Sequence, residues 1–328
     1  MSTATPPSPS SPTWPIRKYT PRHPSWPYTP KDFSRHDPSA DSSFYASPRF
    51  VTHIDDPAIA SLREYYAHVL PPSPHRHHPG EGQAAGSQGT DPPKKRILDL
   101  CSSWTSHFPS QVVDGVKDGR VEVWGLGMNA RELERNPVFS GGKWGVWDLN
   151  SEGQGGGDVG VALGETILKK KQIGAGEGVS NPSLPPKEAA EEAEQHEPPL
   201  DATTCVVSTD YLTQPLTVFS SLLRLTKPGG SVHLTVSNRC FPTKAIARWL
   251  QVDEEERLQM VGDYLFFAGW KGIEIVELSD GRVRGGHDGG EEQQGGGGAD
   301  GGLGAFMRAL GMDAARRDPL WVVRGVKE

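Results

Sequence analysis

Acidic residues stand at the ends of several short apolar runs in this chain, where a carboxylate can accept hydrogen bonds from an amine or a hydroxyl. Asp99 follows Ile97-Leu98 and leads into Leu100-Cys101-Ser102-Ser103-Trp104-Thr105. A buried strand that breaks into small polar residues lets a ligand approach the backbone at the carboxyl end of a sheet. Asp148-Leu149-Asn150 follows a second such run, and Ser208-Thr209-Asp210-Tyr211 a third. There, Asp210 or Tyr211 could take up a proton or hold a substrate hydroxyl. A fourth run gives way to Asn238-Arg239-Cys240-Phe241. The planar fork of Arg239 suits a carboxylate or phosphate, or else it pairs with an acid to lock its own loop. His75, His77 and His78 fall in a Pro/Gly-rich stretch and read as solvated. The three cysteines, Cys101, Cys205 and Cys240, form no CxxC pair, so no metal site is expected.

These residues need a scaffold, and the hydrophobic pattern supplies one. Strands are predicted at Ile97–Leu100, Val121–Leu126, Lys143–Trp147, Asp201–Val207, Ser231–Ser237, Ile273–Leu278 and Leu320–Arg324. Helices fall between them: around Pro109–Val116, after Asn129, from Pro215, over Pro242–Leu250, from Asp253, and a short one near Phe306–Leu310. Asn129 and Asp253 each precede a Glu by three residues (Glu132 and Glu256), the spacing of a capping box. An earlier helix is predicted with Asp56 as cap and Pro57 at its first position, ahead of Ile59, Leu62, Tyr66 and Val69. It is expected to pack on the main domain and cover a ligand. Repeated βα units imply an α/β fold with a doubly wound, mostly parallel sheet.

The chain has 328 residues with 39 Gly and 29 Pro, and only 35% are hydrophobic, so parts of it are not expected to be packed core. Residues 1–48 read as a Pro/Ser-rich arm, extended or disordered, with Trp14, Trp26, Tyr28, Phe33, Phe44 and Tyr45 as anchors on the body. A leader helix (49–72), a linker (73–95) and a main domain (96–328) follow. Residues 151–197, which include Lys169–Lys171, and the Gly-rich 281–304 read as flexible insertions. The net charge of −7 disfavours a nucleic-acid partner. No apolar run is long enough for a bilayer, and there is no secretory signal. The Pro density argues against a transit peptide, so the expected location is cytoplasmic. Oligomeric state leaves no mark in the sequence.

Arg224-Leu225-Thr226-Lys227-Pro228-Gly229-Gly230 ahead of a strand, together with Asp201–Ser208, resembles the Rossmann-like S-adenosylmethionine-dependent methyltransferases of the type 11 domain. D-L-C-S-S-W (Asp99–Trp104), G-L-G-M-N (Gly125–Asn129), D-L-N (Asp148–Asn150), D-Y-L-T-Q-P (Asp210–Pro215) and S-N-R-C-F (Ser237–Phe241) are similar to a fungal and plant subgroup of that class. The resemblance spans about 48–328 without the two insertions. It implies S-adenosylmethionine as cofactor, an antiparallel last strand and a small-molecule acceptor.

Residue by residue, the resemblance implies that Asp99, Cys101, Ser102, Ser103 and Trp104 lie along the methionine part of the cofactor. Cys101, Ser103 and Thr105 stand where that family has glycines. Gly127 stands where the family holds the ribose with an acid. Met128 is then expected to cover the adenine, with Asn129 either donating a hydrogen bond or capping its helix. Asp148 and Leu149 match the adenine site, and Ser208 the carboxylate side of the methionine. Tyr211, Asn238, Arg239 and Phe241 are placed at the substrate, with Asp210 and Tyr211 as catalytic candidates. Trp104, Trp249, Tyr264, Phe266 and Phe267 either wall an apolar pocket or belong to the core. A methyltransferase is the leading reading, and a degenerate domain serving as an interaction protein is the alternative. A nicotinamide oxidoreductase is disfavoured by the absence of G-x-G-x-x-G.

Overall fold

A computed structural model describes residues 14–71, 93–139, 141–153, 155–168, 200–282 and 317–328. Eight strands form one sheet: β1 (Ile16–Lys18), β2 (Lys95–Ser102), β3 (Val121–Gly127), β4 (Trp144–Val146), β5 (Leu200–Val206), β6 (Thr226–Ser237), β7 (Lys271–Ser279) and β8 (Leu320–Val326). Their order is β1-β7-β8-β6-β5-β2-β3-β4. The pairs from β6 through β5, β2 and β3 to β4 are parallel, whereas β8 runs antiparallel between β6 and β7. This is the doubly wound, mostly parallel sheet expected from the sequence, antiparallel last strand included. Strand β1 adds an antiparallel edge on β7 that periodicity did not reveal, because three residues carry no pattern.

Alternation of side chains across β2 feeds two cores. Ile97 packs on one face with Val121, Val123 and the helix α2 (Asp56–Val69), while Leu98 and Leu100 pack on the other. On that second face lie α5 (Val159–Leu163), α6 (Pro215–Leu225) and α8 (Glu254–Ala268). The remaining helices are α1 (Asp41–Phe44), α3 (Ser110–Lys117), α4 (Ala130–Arg135) and α7 (Ala247–Gln251).

Several boundaries differ from expectation for identifiable reasons. The cap of α2 is Asp55, not Asp56: Asp55 Oδ1 accepts from Ala58 N at 2.8 Å. Its Oδ2 accepts from Asp318 N while Asp318 Oδ2 accepts from Asp55 N, both at 2.8 Å, which ties the helix start to the lead into β8. Helix α2 lies on the sheet and does not cover the ligand side; Tyr65 and Tyr66 bond His233 and Thr235 beneath it. The Asp253 cap of α8 is as expected, accepting from Glu256 N at 2.9 Å. Within the expected insertion 151–197, α5 is packed rather than free, because Val159, Ala162, Leu163 and Ile167 are buried against the sheet. The histidines of 75–78, Lys169–Lys171 and the Phe306–Leu310 helix lie outside the described residues.

The arm from Trp14 onward is fixed to the body. Buried Asp263 on α8 accepts from the hydroxyls of Tyr19 and Tyr28. Lys244, fully buried, donates to Ser39 O at 2.7 Å and pairs with Asp37 and Asp41. Trp26 and Phe33 stack with centroids 6.0 Å apart near Tyr264. These contacts hold residues 41–54 across the carboxyl end of the sheet.

Candidate functional site

Strands β3 and β4 lie to one side of β2, and β5 and β6 to the other, so a crevice opens where the connections diverge. A cavity of about 420 Å³ fills it. Its wall comes from Asp99–Thr105 and His107 after β2, Leu126–Met128 at β3, Trp147–Asn150 after β4 and Val206–Ser208 with Tyr211 after β5. Arg239, Cys240 and Phe241 follow β6, Glu132 comes from α4, and the arm supplies Asp41, Tyr45, Arg49 and Val51–Ile54 as a roof.

The β2 end is distorted where it meets the cavity. The pairing with β3 slips between Leu100 and Ser102, and Cys101 adopts φ 54°, the left-handed region that glycine enters easily. Val207, at the end of β5, does the same at φ 42°. Both residues line the cavity, and backbone held in this region costs about 1–3 kcal/mol that the surrounding structure must offset. Asp99 lies beneath the turn. Ser102 Oγ and Thr204 Oγ1 donate to its carboxylate at 2.5 and 2.9 Å. Burial still outweighs the bonds from Ser102, Ser106 and Thr204 and pushes its pKa up to about 6.

Gly127 is small for a packing reason. A Cβ there would fall 2.1 Å from the Ser102 carbonyl oxygen and 3.1 Å from the Leu133 side chain. No acid fits at this position on the present backbone. Asn129 does the structural job weighed against ligand binding: its Oδ1 accepts from Arg131 N and Glu132 N, and its Nδ2 donates to Tyr45 O and Ala46 O. It does not line the cavity. Glu132 does not close a capping box. Instead it accepts from Arg49 N and Ser103 Oγ, each at 2.6 Å, and joins the arm to the β2 turn.

Asp148, Leu149 and Met128 lie together at the cavity end next to β4. Asp148 Oδ1 accepts from Asn150 N at 2.9 Å, and burial followed by the charge of Asp41 raises its pKa. Asn150 donates to Asp41 Oδ2 and Tyr211 O, both near 2.8–2.9 Å, so it links three walls of the site. Ser208 lines the wall and turns its hydroxyl back onto Val206 O.

On the side of β5 and β6, Phe241 N donates to the Tyr211 hydroxyl at 2.8 Å. Burial holds the phenols of Tyr45 and Tyr211 above their ordinary range. Asp210 does not line the cavity; it is buried behind Tyr211, its Oδ2 has no hydrogen-bond partner among the described residues, and burial pushes its pKa up to about 8. Asn238 is exposed and outside the wall. Arg239 reaches the wall but donates through Nε to Asp318 Oδ1 at 2.7 Å, the loop-locking role. Trp104 lines the cavity, whereas Trp249 and Tyr264 are core.

Sequence reading missed Asp41, Arg49, His53, His107 and Glu132. His53 and His107 both line the cavity. Burial lowers the pKa of His53, with Glu132 and Arg49 acting in opposite directions, and lowers that of His107 to about 4. Among the described residues no group of three or more His, Cys, Asp or Glu is placed to hold a metal, and no helix is long and apolar enough to cross a membrane.

No family model matches this chain, and no curated protein matches it. Similar solved structures include Haemonchus contortus phosphoethanolamine N-methyltransferase 2 in complex with S-adenosyl-L-methionine, at 11% identity and TM-score 0.35, covering 73% of this chain. This chain spans only 50% of that protein's length. A SAM-dependent methyltransferase from Archaeoglobus fulgidus is 12% identical with TM-score 0.34, covering 71% of this chain and 86% of its own. An S-adenosylmethionine-dependent methyltransferase from Mesorhizobium loti is 12% identical with TM-score 0.32, covering 71% of this chain and 90% of its own.

Proposed function

We propose that this chain is an S-adenosylmethionine-dependent methyltransferase acting on a small-molecule acceptor, in the subgroup marked by D-L-C-S-S-W. The observation that carries the reading is the convergence of the motif residues. Asp99, Cys101–Trp104, Gly127, Met128, Asp148, Leu149 and Ser208 come from four separate strand ends and line one cavity.

The residues present fit the cofactor at two of its three parts. Asp148 offers a half-buried carboxylate to the adenine amino group, with Leu149 and Met128 as apolar cover. The left-handed turn at Cys101 keeps the backbone course that a glycine would give beside the methionine part. The ribose acid is replaced by the tight β2–β3 contact at Gly127. When bound, S-adenosylmethionine supplies a methyl group already activated on a sulfonium, so positioning of the acceptor does most of the work. Here Tyr45, Tyr211 and Phe241 wall the acceptor end, and residues 49 and 51–54 of the arm add to the lining. His53 lines the cavity beside Phe241, and its burial favours the neutral imidazole, the form that accepts a proton.

Calorimetric titration of the full chain with S-adenosylmethionine tests this. Micromolar binding that Asp148→Ala weakens at least tenfold, about 1.4 kcal/mol, is expected. No binding at millimolar cofactor would overturn the enzyme reading and leave a degenerate domain with an interaction role.

A further inference from the structure

The acceptor end of the cavity contains a cation that no described carboxylate neutralises by contact. Arg239, the arginine that sequence order puts there, is engaged by Asp318. Arg49 is not engaged in that way. It reaches the wall from the arm, donates through Nη2 to Phe44 O at 3.1 Å, and leaves Nη1 shielded from solvent with no hydrogen-bond partner among the described residues. The acid on its backbone amide, Glu132, has both oxygens occupied by Arg49 N and Ser103 Oγ. The guanidinium is held in place by rings: its Cζ lies 4.5 Å from the centroid of Phe44, 5.5 Å from that of Phe241 and 5.7 Å from that of Tyr45.

A shielded guanidinium N–H without an acceptor is costly unless something supplies one. Its planar fork matches an oxyanion better than a neutral carbonyl. The other charged side chains that line the cavity beside it already have partners in the chain: Asp41 pairs with Arg35 and Lys244, Glu132 accepts from Arg49 N and Ser103 Oγ, and Arg239 pairs with Asp318. We infer that Arg49 is the docking point for an oxyanion, a carboxylate or a phosphate monoester, on a small aromatic or apolar acceptor. The inference rests on the methyltransferase reading only in calling the ligand an acceptor. The arm therefore contributes the specificity-determining group, and the domain proper contributes the cofactor wall.

The test uses the full chain and three probes of similar shape: benzoate, phenyl phosphate and neutral benzyl alcohol. Each is titrated with and without saturating S-adenosylhomocysteine. At least one acid is expected to bind tenfold or more tightly than benzyl alcohol in the wild type, and the better of the two identifies the oxyanion. Arg49→Gln should abolish that preference while circular dichroism and S-adenosylhomocysteine binding persist. Benzyl alcohol binding as tightly as both acids, or neither acid binding at millimolar concentration, would overturn the inference. That comparison is made in the wild type, so a misfolded variant cannot shield it. Oxyanion preference without S-adenosylhomocysteine binding would sink the cofactor reading alone, and the reverse would sink this inference alone.

Discussion

The carbonyl oxygen of Ser102 sits where the Cβ of any residue other than glycine at position 127 would have to go, 2.1 Å away. The two strands carrying these residues are paired in parallel, with Ser102 directly opposite Gly127 after the slip at Cys101. The missing acid at the end of β3 is therefore coupled to the irregular end of β2.

It follows that an acid cannot simply be restored. Gly127→Asp is expected to destabilise the fold by about 1–3 kcal/mol, the cost of overpacking a tight contact, and not to tighten cofactor binding. Urea unfolding of the variant measures the first effect and calorimetry the second. An unchanged midpoint with tighter binding would contradict the steric account.

Burial of Asp210 has a consequence for pH. Its pKa is raised to about 8 in the folded chain, against about 3.9 when unfolded. The folded state therefore keeps a proton that the unfolded chain releases. The stability from this group is complete below about pH 4 and declines by up to about 1.4 kcal/mol per pH unit as pH rises towards 8. Asp99, raised to about 6, acts in the same direction over the lower part of that window. Asp210→Asn should flatten the slope between about pH 6 and 8, read from unfolding midpoints across that range.

The paired tyrosines make a third test. In the double variant Tyr19→Phe, Tyr28→Phe, buried Asp263 retains only the 3.3 Å contact from Arg22. A loss of about 1–3 kcal/mol per hydroxyl is expected, with cleavage by a protease appearing first within the arm. Resistance equal to that of the wild type would show that the hydroxyls do not hold it.

His53 gives a fourth. His53→Ala should lower kcat by about 100-fold or more once an acceptor is known, with cofactor affinity unchanged. A fall in affinity without a fall in kcat would assign His53 to the wall of the cavity and not to proton uptake.

Much of the sheet was legible because β2, β3, β5 and β6 are apolar runs that end in polar residues, and because Asp253 carries its capping partner three residues on. The place of Asp148 on the cavity wall was legible in the same way, from its position after a strand, whereas the role assigned to it came from the resemblance. Glu132 was misread because capping-box spacing describes a local competition, and Arg49 N and Ser103 Oγ win it from elsewhere in the chain. Arg49 and His53 were invisible. They sit in a segment without periodicity whose anchors, such as Tyr28 on Asp263, are 235 residues apart in sequence.

That separation also sets an order of events during synthesis. The ribosome makes the arm before any of its anchors on α8 and β7, and domains assemble from the amino-terminal end as the chain emerges. The parts that form the roof of the cavity are thus made before Asp263 and Ile275, the residues that anchor the arm. Closure of the cavity therefore depends on residues that are made long after those that roof it.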